Sequence, residues 1–235
     1  MSEPLLELTA IVKDYRGLRP LRIERLALAP AEQVAILGID QMAAEVLVNL
    51  LTGVTLPDRG SVRLFGRDSA SIAGSEEWLA LVDRFGIVSR RAVLLEAMTV
   101  AQNLAVPFSL EIEPLSSALR ERAIAAGREA GLADDDWDRR VSALDGGRRL
   151  RVRVARALAL DPAIVLLEHP TADVARVDAA PLGRDVRKLL EHRGAAGLTL
   201  TADPDLAAAS PRVLEFDPSS GRLVEQRRGW FSLRR

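Results

Sequence analysis

Apolar and polar residues alternate in "LLELTAIV" (5–12) and "LRIERLAL" (21–28), the two-residue period of half-buried strands. A small antiparallel sheet is expected there. The pattern then changes. "QVAILG" is a short apolar run ending at Gly38, and Met42 to Leu51 carries apolar residues at helical spacing, so strand, turn and helix follow one another. "PDRGSVRLFG" reads as a turn and a strand, Ser75 to Phe85 as a helix, and "GIVS" as a short buried strand. From Thr99 to about Ala133 the spacing is mostly helical, with breaks at Pro107 and Pro114. Arg148 to Leu160 predicts a helix with an arginine-rich face. "AIVLLE" is an unbroken apolar run of the parallel-sheet kind. Asp178 to His192 predicts a helix, "GLTLTA" a strand, and "RVLEFD" and "GRLVEQ" a final pair. Strands alternating with helices predict an α/β fold with a mainly parallel core sheet. The N-terminal strands form a small antiparallel β subdomain of it, and residues of about 95–147 a helical subdomain.

Length fits this picture: 235 residues make one large domain, or a core with a smaller subdomain. Apolar residues are 48% of the chain, enough for a sizeable core. The formal net charge is −1, which argues against a nucleic-acid binder, since that needs a concentrated basic surface. Without cysteine there are no disulfides and no thiolate metal sites, and His169 and His192 are too few for a histidine-rich metal site. No metal site is therefore predicted from the residues alone. The N-terminus reads as no signal peptide, and no window reaches a membrane span of about eighteen apolar residues. A cytoplasmic location is expected. Lys13 and Lys188 are the only lysines; every other basic residue is arginine. The tail "RRGWFSLRR" reads as a solvated basic end, with a membrane-surface contact as the alternative.

"ILGIDQMAAEVLVNLLTG", Ile36 to Gly53, has the outline of a phosphate-binding loop: apolar strand, Gly, and an apolar helix closing on Leu-Thr-Gly. The G-x-x-x-x-G-K-[ST] pattern works because glycines let backbone N–H groups wrap phosphates, Lys reaches the outer phosphates and Ser/Thr holds Mg²⁺. In that register Gly38 is the first glycine and Ala43 stands at the second. Ala44 replaces the lysine and Glu45 the Ser/Thr. An Ala methyl cannot offset phosphate charge. Glu45 adds negative charge where a helix N-terminus would otherwise attract an anion.

The stretch "LDGGRRLRVRVARALALDPAIVLLEHPT", Leu144 to Thr171, resembles without a gap the region LSGGQ-x-QRVAIARAL-x-x-DP-x-LLLLDEPT of the ATP-binding subunits of ATP-binding cassette (ABC) transporters. "EAMTVAQNLAVPF" is similar to that family's segment after its glutamine loop, and the order of elements agrees along nearly the whole chain. The resemblance implies a P-loop NTPase-like ABC ATPase domain spanning 1–235. It also implies ATP and Mg²⁺ as cofactors, a dimer partner and a transporter permease.

The family's site residues are largely replaced. Its glutamine aligns with Arg90. In the signature loop Asp145 stands for Ser and Arg148 for Gln, while Gly146 and Gly147 remain. Asp145 can cap the following helix as Ser does, but would repel a γ-phosphate that the family binds on the opposite subunit. Glu168 takes the Mg-side Asp position. His169 takes that of the catalytic Glu, and Ala202 that of the switch histidine. Tyr15 in "KDYRG" is retained, and its ring suits stacking on adenine or simple packing. Phosphoryl transfer depends on positioning and charge stabilisation, so these replacements predict little hydrolysis and weak or absent ATP and Mg²⁺ binding. A Glu45–Arg90–Glu168 cluster is expected in the Mg–phosphate space.

The leading reading is a degenerate ABC subunit, paired with an intact ABC subunit or with itself. It would lie on the inner face of the membrane through a permease, contacting it between Arg90 and about Val106. Two alternatives remain: an active ATPase with non-standard residues, His169 its base, and a scaffold protein unconnected with transport.

Overall fold

The computed structural model describes residues 3–225, so the basic tail lies outside the described residues. The chain forms β1 (Leu6–Lys13), β2 (Leu21–Leu28), β3 (Gln33–Leu37), α1 (Gln41–Leu51), β4 (Arg59–Leu64), β5 (Arg67–Asp68), α2 (Ser75–Val82) and β6 (Phe85–Val88). Then follow α3 (Val100–Ala105), α4 (Ser117–Glu129), α5 (Gly146–Leu158), β7 (Ile164–Glu168), α6 (Arg176–Arg193), β8 (Ala196–Thr201), α7 (Pro204–Ala207), β9 (Arg212–Asp217) and β10 (Arg222–Glu225). The strands make one sheet in the order β5-β4-β1-β2-β10-β9-β3-β8-β7-β6.

The sheet has two characters. Strands β9, β3, β8, β7 and β6 pair in parallel. Strands β2, β1, β4 and β5 pair antiparallel, as do β9 and β10. Every residue of β7 is buried, because helices cover both faces of the parallel part. In β1 the buried positions are Leu6, Leu8 and Ile11, so the alternation slips by one. The cause is a bulge: Thr9 pairs with Ser61 and Val12 with Arg59, leaving Ala10 and Ile11 opposite Gly60. Ala10 has φ 51°, and a Cβ on Gly60 would fall 2.4 Å from the Thr9 carbonyl oxygen.

The expected helices are found, with shifts at their ends. The long helical stretch after Thr99 is two helices, α3 and α4, separated by the segment that holds Pro107 and Pro114. Thr99 and Gln102 form a reciprocal capping box at the start of α3. Buried Asn103 is satisfied by the Leu95 amide and the Leu95 and Thr99 carbonyls. These helices share a core of Leu94, Val100, Leu104, Ala123, Trp137 and Val152, separate from the main one. The main core is formed by residues of α1, of the antiparallel strands and of the parallel part of the sheet. Helix α6 begins at Arg176, earlier than expected, and runs through Pro181. No helix among the described residues is long and apolar enough to cross a membrane.

Candidate functional site

Four parallel strands end side by side, and each is followed by a position singled out from the sequence. Gly38 follows β3, Ser89 and Arg90 follow β6, His169 follows β7 and Ala202 follows β8. In open α/β sheets this carboxyl-end crevice is where ligands bind.

Gly38 turns the chain with φ +83°, and its N–H donates to the Thr201 carbonyl at 2.8 Å. Helix α1 begins only three residues later. Asp40 is its N-cap, accepting from the Ala43 amide at 2.8 Å. The Ala44 amide donates to the Asp40 carbonyl at 2.9 Å. Two backbone donors of this helix start, the Ala43 and Ala44 amides, are therefore engaged by Asp40, the first of them by its carboxylate. Ala43 and Ala44 are fully buried in the main core.

Glu168 ends β7 with its side chain 1% exposed. One carboxylate oxygen lies 2.6 Å from Arg91 Nη2, and the other accepts from Gln41 Nε2. Arg91 Nη1 lies 3.2 Å from Glu45 Oε1. The expected cluster thus exists, but with Arg91 rather than Arg90 at its centre. The reason is the turn after β6. The Ala92 amide donates to the Ser89 carbonyl at 3.2 Å and the Arg91 amide to Ser89 Oγ at 3.1 Å. That turn carries Arg91 back into the crevice and sends Arg90 outward, where it lies 3.5 Å from Asp173.

His169 holds a left-handed backbone, φ 42°, with its amide donating to the Leu200 carbonyl at 2.8 Å. Its Nε2 is buried without a hydrogen-bond partner. Ala202 is exposed. Beside it, Asp203 caps α7 and accepts from Thr171 Oγ1 at 3.3 Å. Tyr15 packs against the main core with its ring over Gly17, where a Cβ would fall 2.5 Å from the ring. Burial, and then the nearby Asp40 charge, push the Tyr15 hydroxyl pKa above its ordinary value. The Tyr15 ring is thus held by packing, with the Asp40 charge close enough to act on its hydroxyl.

The signature-like loop, Leu144 to Arg148, leads into α5. Asp145 caps α5 through the Arg148 amide at 2.8 Å, and that bond is the main cause holding its carboxyl below the usual Asp range. Arg148 also reaches buried Asp136 at 3.1 Å. A Cβ on Gly146 would fall 1.8 Å from the Asp173 carbonyl oxygen, so this glycine lets α5 and the segment after β7 approach. A Cβ on Gly147 would meet Asp145 Oδ1 at 3.3 Å.

Alignment by sequence missed Arg91 and Gln41. The doubled arginine of "SRR" was the available signal for the first, and a polar residue at the first helical position for the second.

A family model described as ABC transporter matches residues 24–172. The chain belongs to the ABC transporter ATP-binding family. Within that family it is 33% identical over 201 residues to the lipoprotein-releasing system ATP-binding protein LolD of Pseudomonas syringae pv. tomato, covering 86% of this chain and 87% of LolD. It is 31% identical over 231 residues to the macrolide export ATP-binding/permease protein MacB of Bordetella avium, covering 95% of this chain. The chain spans about a third of the length of the MacB relatives, 34% in that case. The fold is that of solved ABC cassettes. The TM-score is 0.75 to the dimeric, ADP- and Pi-bound cassette MJ0796, at 22% identity, with 94% of this chain and 97% of that one covered. It is 0.78 to cbiO1 of Clostridium perfringens, at 20% identity, with 95% and 88% covered.

Proposed function

We propose that this chain is an ABC subunit that has given up nucleotide turnover and serves as the structural or regulatory partner in a transporter. One observation carries this reading: the Arg91 guanidinium lies between Glu45 and Glu168. Those two residues align with the family's Mg²⁺-side positions, which supports a reading in which a cation of the chain itself stands in for the metal.

The residues present do not fit ATP with Mg²⁺. Position 44 offers a buried methyl in place of a lysine ammonium. The Asp40 carboxylate already accepts from the start of α1, where a phosphate would compete with it. Both oxygens of Glu168 are engaged by Gln41 and Arg91. At the base position, His169 has a buried, unpartnered Nε2.

A permease partner is supported by the relatives, whose MacB names join ATP-binding and permease functions in one protein. A dimer, with an intact ABC subunit or a second copy, is supported by the dimeric cassette of the same fold. The chain would then lie peripherally on the inner face of the membrane. Nothing in its charge suggests nucleic acid as a partner.

Calorimetric titration of the purified protein with ATP, with and without Mg²⁺, tests the reading. The expected result is no saturable binding up to millimolar nucleotide. Micromolar binding, or Mg²⁺-dependent turnover lost in His169→Ala, would overturn it in favour of an active ATPase.

A further inference from the structure

One end of the antiparallel sheet carries a row of like charge on its outer face. Arg59 of β4 stands in register with Val12 of β1, Val12 with Arg22 of β2, and Arg22 with Arg222 of β10. Residues in register on neighbouring strands point to the same side, so this row spans about 14 Å of one face. The other face belongs to the main core, where Ile11, Leu21 and Ile23 are buried. Arg22, Arg59 and Arg222 are exposed.

The loop between β1 and β2 lies against the same end. The Arg22 amide donates to the Gly221 carbonyl at 2.7 Å, and a Cβ on Gly221 would fall 3.4 Å from Arg19 Cβ. This loop adds exposed Arg16 and Arg19, with Leu18 between them 87% exposed. Among the described residues, none of these five guanidinium groups forms a hydrogen bond or an ion pair. Acids beside them are engaged elsewhere. Asp58 holds Lys13 and the Asp14 amide, Asp14 accepts from the Arg16 amide, and Asp217 accepts from Ser219 and Ser220. Glu24, two residues along β2 from Arg22, pairs with none of them.

Like charges held opposite one another repel. The fold gains nothing from Arg22 facing Arg222, whereas an anionic partner would be gripped by both. Guanidinium forks match phosphate oxygens two at a time. An exposed leucine among arginines suits an interface in which a charged surface covers an apolar layer. We propose that this face binds the anionic phospholipid headgroups of a membrane surface directly, with Leu18 entering below the phosphates. The contact needs lipid alone, so it does not depend on the permease reading.

Flotation of the full chain with vesicles tests this. Vesicles of equal parts phosphatidylcholine and phosphatidylglycerol should carry the protein up, less so as sodium chloride is raised, and vesicles of phosphatidylcholine alone should not. Arg22→Glu sets a carboxylate opposite Arg222. It should raise the urea unfolding midpoint and yet lower vesicle binding about 30-fold, the effect of two charge units near such a surface. Arg184→Glu makes the same change in net charge on α6 and should alter binding by less than about twofold. Leu18→Ser should weaken binding without changing its salt dependence. Failure to bind the anionic vesicles, equal binding to neutral ones, or equal losses in the Arg22→Glu and Arg184→Glu proteins overturns the inference. So does a midpoint lowered by Arg22→Glu, since the two arginines would not then oppose each other. Retention on a poly-glutamate resin without vesicle binding would assign the face to an acidic protein and overturn the membrane surface as its occupant. Each of these results leaves the permease reading standing.

Discussion

Arg91 places its guanidinium 2.6 Å from a carboxylate oxygen of Glu168, a residue whose side chain is 1% exposed. Glu168 depends on this contact: beyond it, among the described residues, Gln41 alone donates a side-chain hydrogen bond to the carboxylate. Glu45 has no such need, because it stays half-exposed.

Removing Arg91 should therefore cost much more than removing Arg90. Arg91→Met leaves a buried carboxylate without its cation, an effect on the order of 2–3 kcal/mol once the partial exposure of Arg91 is allowed for. Arg90→Met breaks an exposed pair with Asp173 and should cost about 1 kcal/mol or less. Arg91→Met combined with Glu168→Leu should cost clearly less than the sum of the two single changes, since the pair acts as a unit. Urea unfolding midpoints measure all of these. Equal midpoints for the Arg90 and Arg91 variants would mean that the cluster contributes nothing.

Much of this was legible in the sequence. The strands and helices follow from periodicity, and the carboxyl-end positions follow from motif spacing, because a parallel sheet puts strand ends side by side. The side-chain cluster was legible only to within one residue. Strand alternation stops at Val88, and the turn at Ser89 decides which of two adjacent arginines faces inward. No period in the sequence encodes that turn. The arginine-rich face of α5 was likewise legible, but that Arg153 and Arg156 line a groove with residues of β6 was not, since β6 lies far away in the chain.

The chain has a single tyrosine, so its ionisation can be read directly by absorbance at alkaline pH. Tyr15 should titrate above the ordinary tyrosine value of about 10. Burial is the larger cause and the Asp40 charge the smaller, so Asp40→Asn should bring the midpoint down only in part. An unshifted midpoint in the unaltered protein would mean that the ring is solvated and not packed over Gly17.

Gly146 and Gly194 should respond differently to alanine. At Gly194, φ is +66° and a Cβ would meet nothing within 4 Å, so Gly194→Ala costs only backbone strain, about 1 kcal/mol. At Gly146 the Cβ would fall 1.8 Å from the Asp173 carbonyl oxygen, which the backbone must move to relieve. Gly146→Ala should cost about 2–3 kcal/mol. It should also increase hydrogen exchange in 172–175, because the segment after β7 is pushed away from α5. If Gly146→Ala is no worse than Gly194→Ala, the two segments are not in the described contact.

Asp145 gives the pH dependence. Its carboxyl is held below the usual Asp range, first by the Arg148 amide and then by the Arg148 side chain. A depressed folded pKa means that the stabilisation is complete above the unfolded value, near ~3.9, and is lost as pH falls through the lower folded value. Asp145→Asn keeps a helix cap but cannot titrate or pair as an ion with Arg148. The unaltered protein should therefore be more stable than Asp145→Asn at pH 7, by less than about 1 kcal/mol because the pair is exposed. The gap should close between about pH 4 and pH 2. Urea unfolding of both proteins across that range measures it. A gap that stays constant down to pH 2 would mean that the Asp145 charge does not contribute, and that the cap works through hydrogen bonding alone.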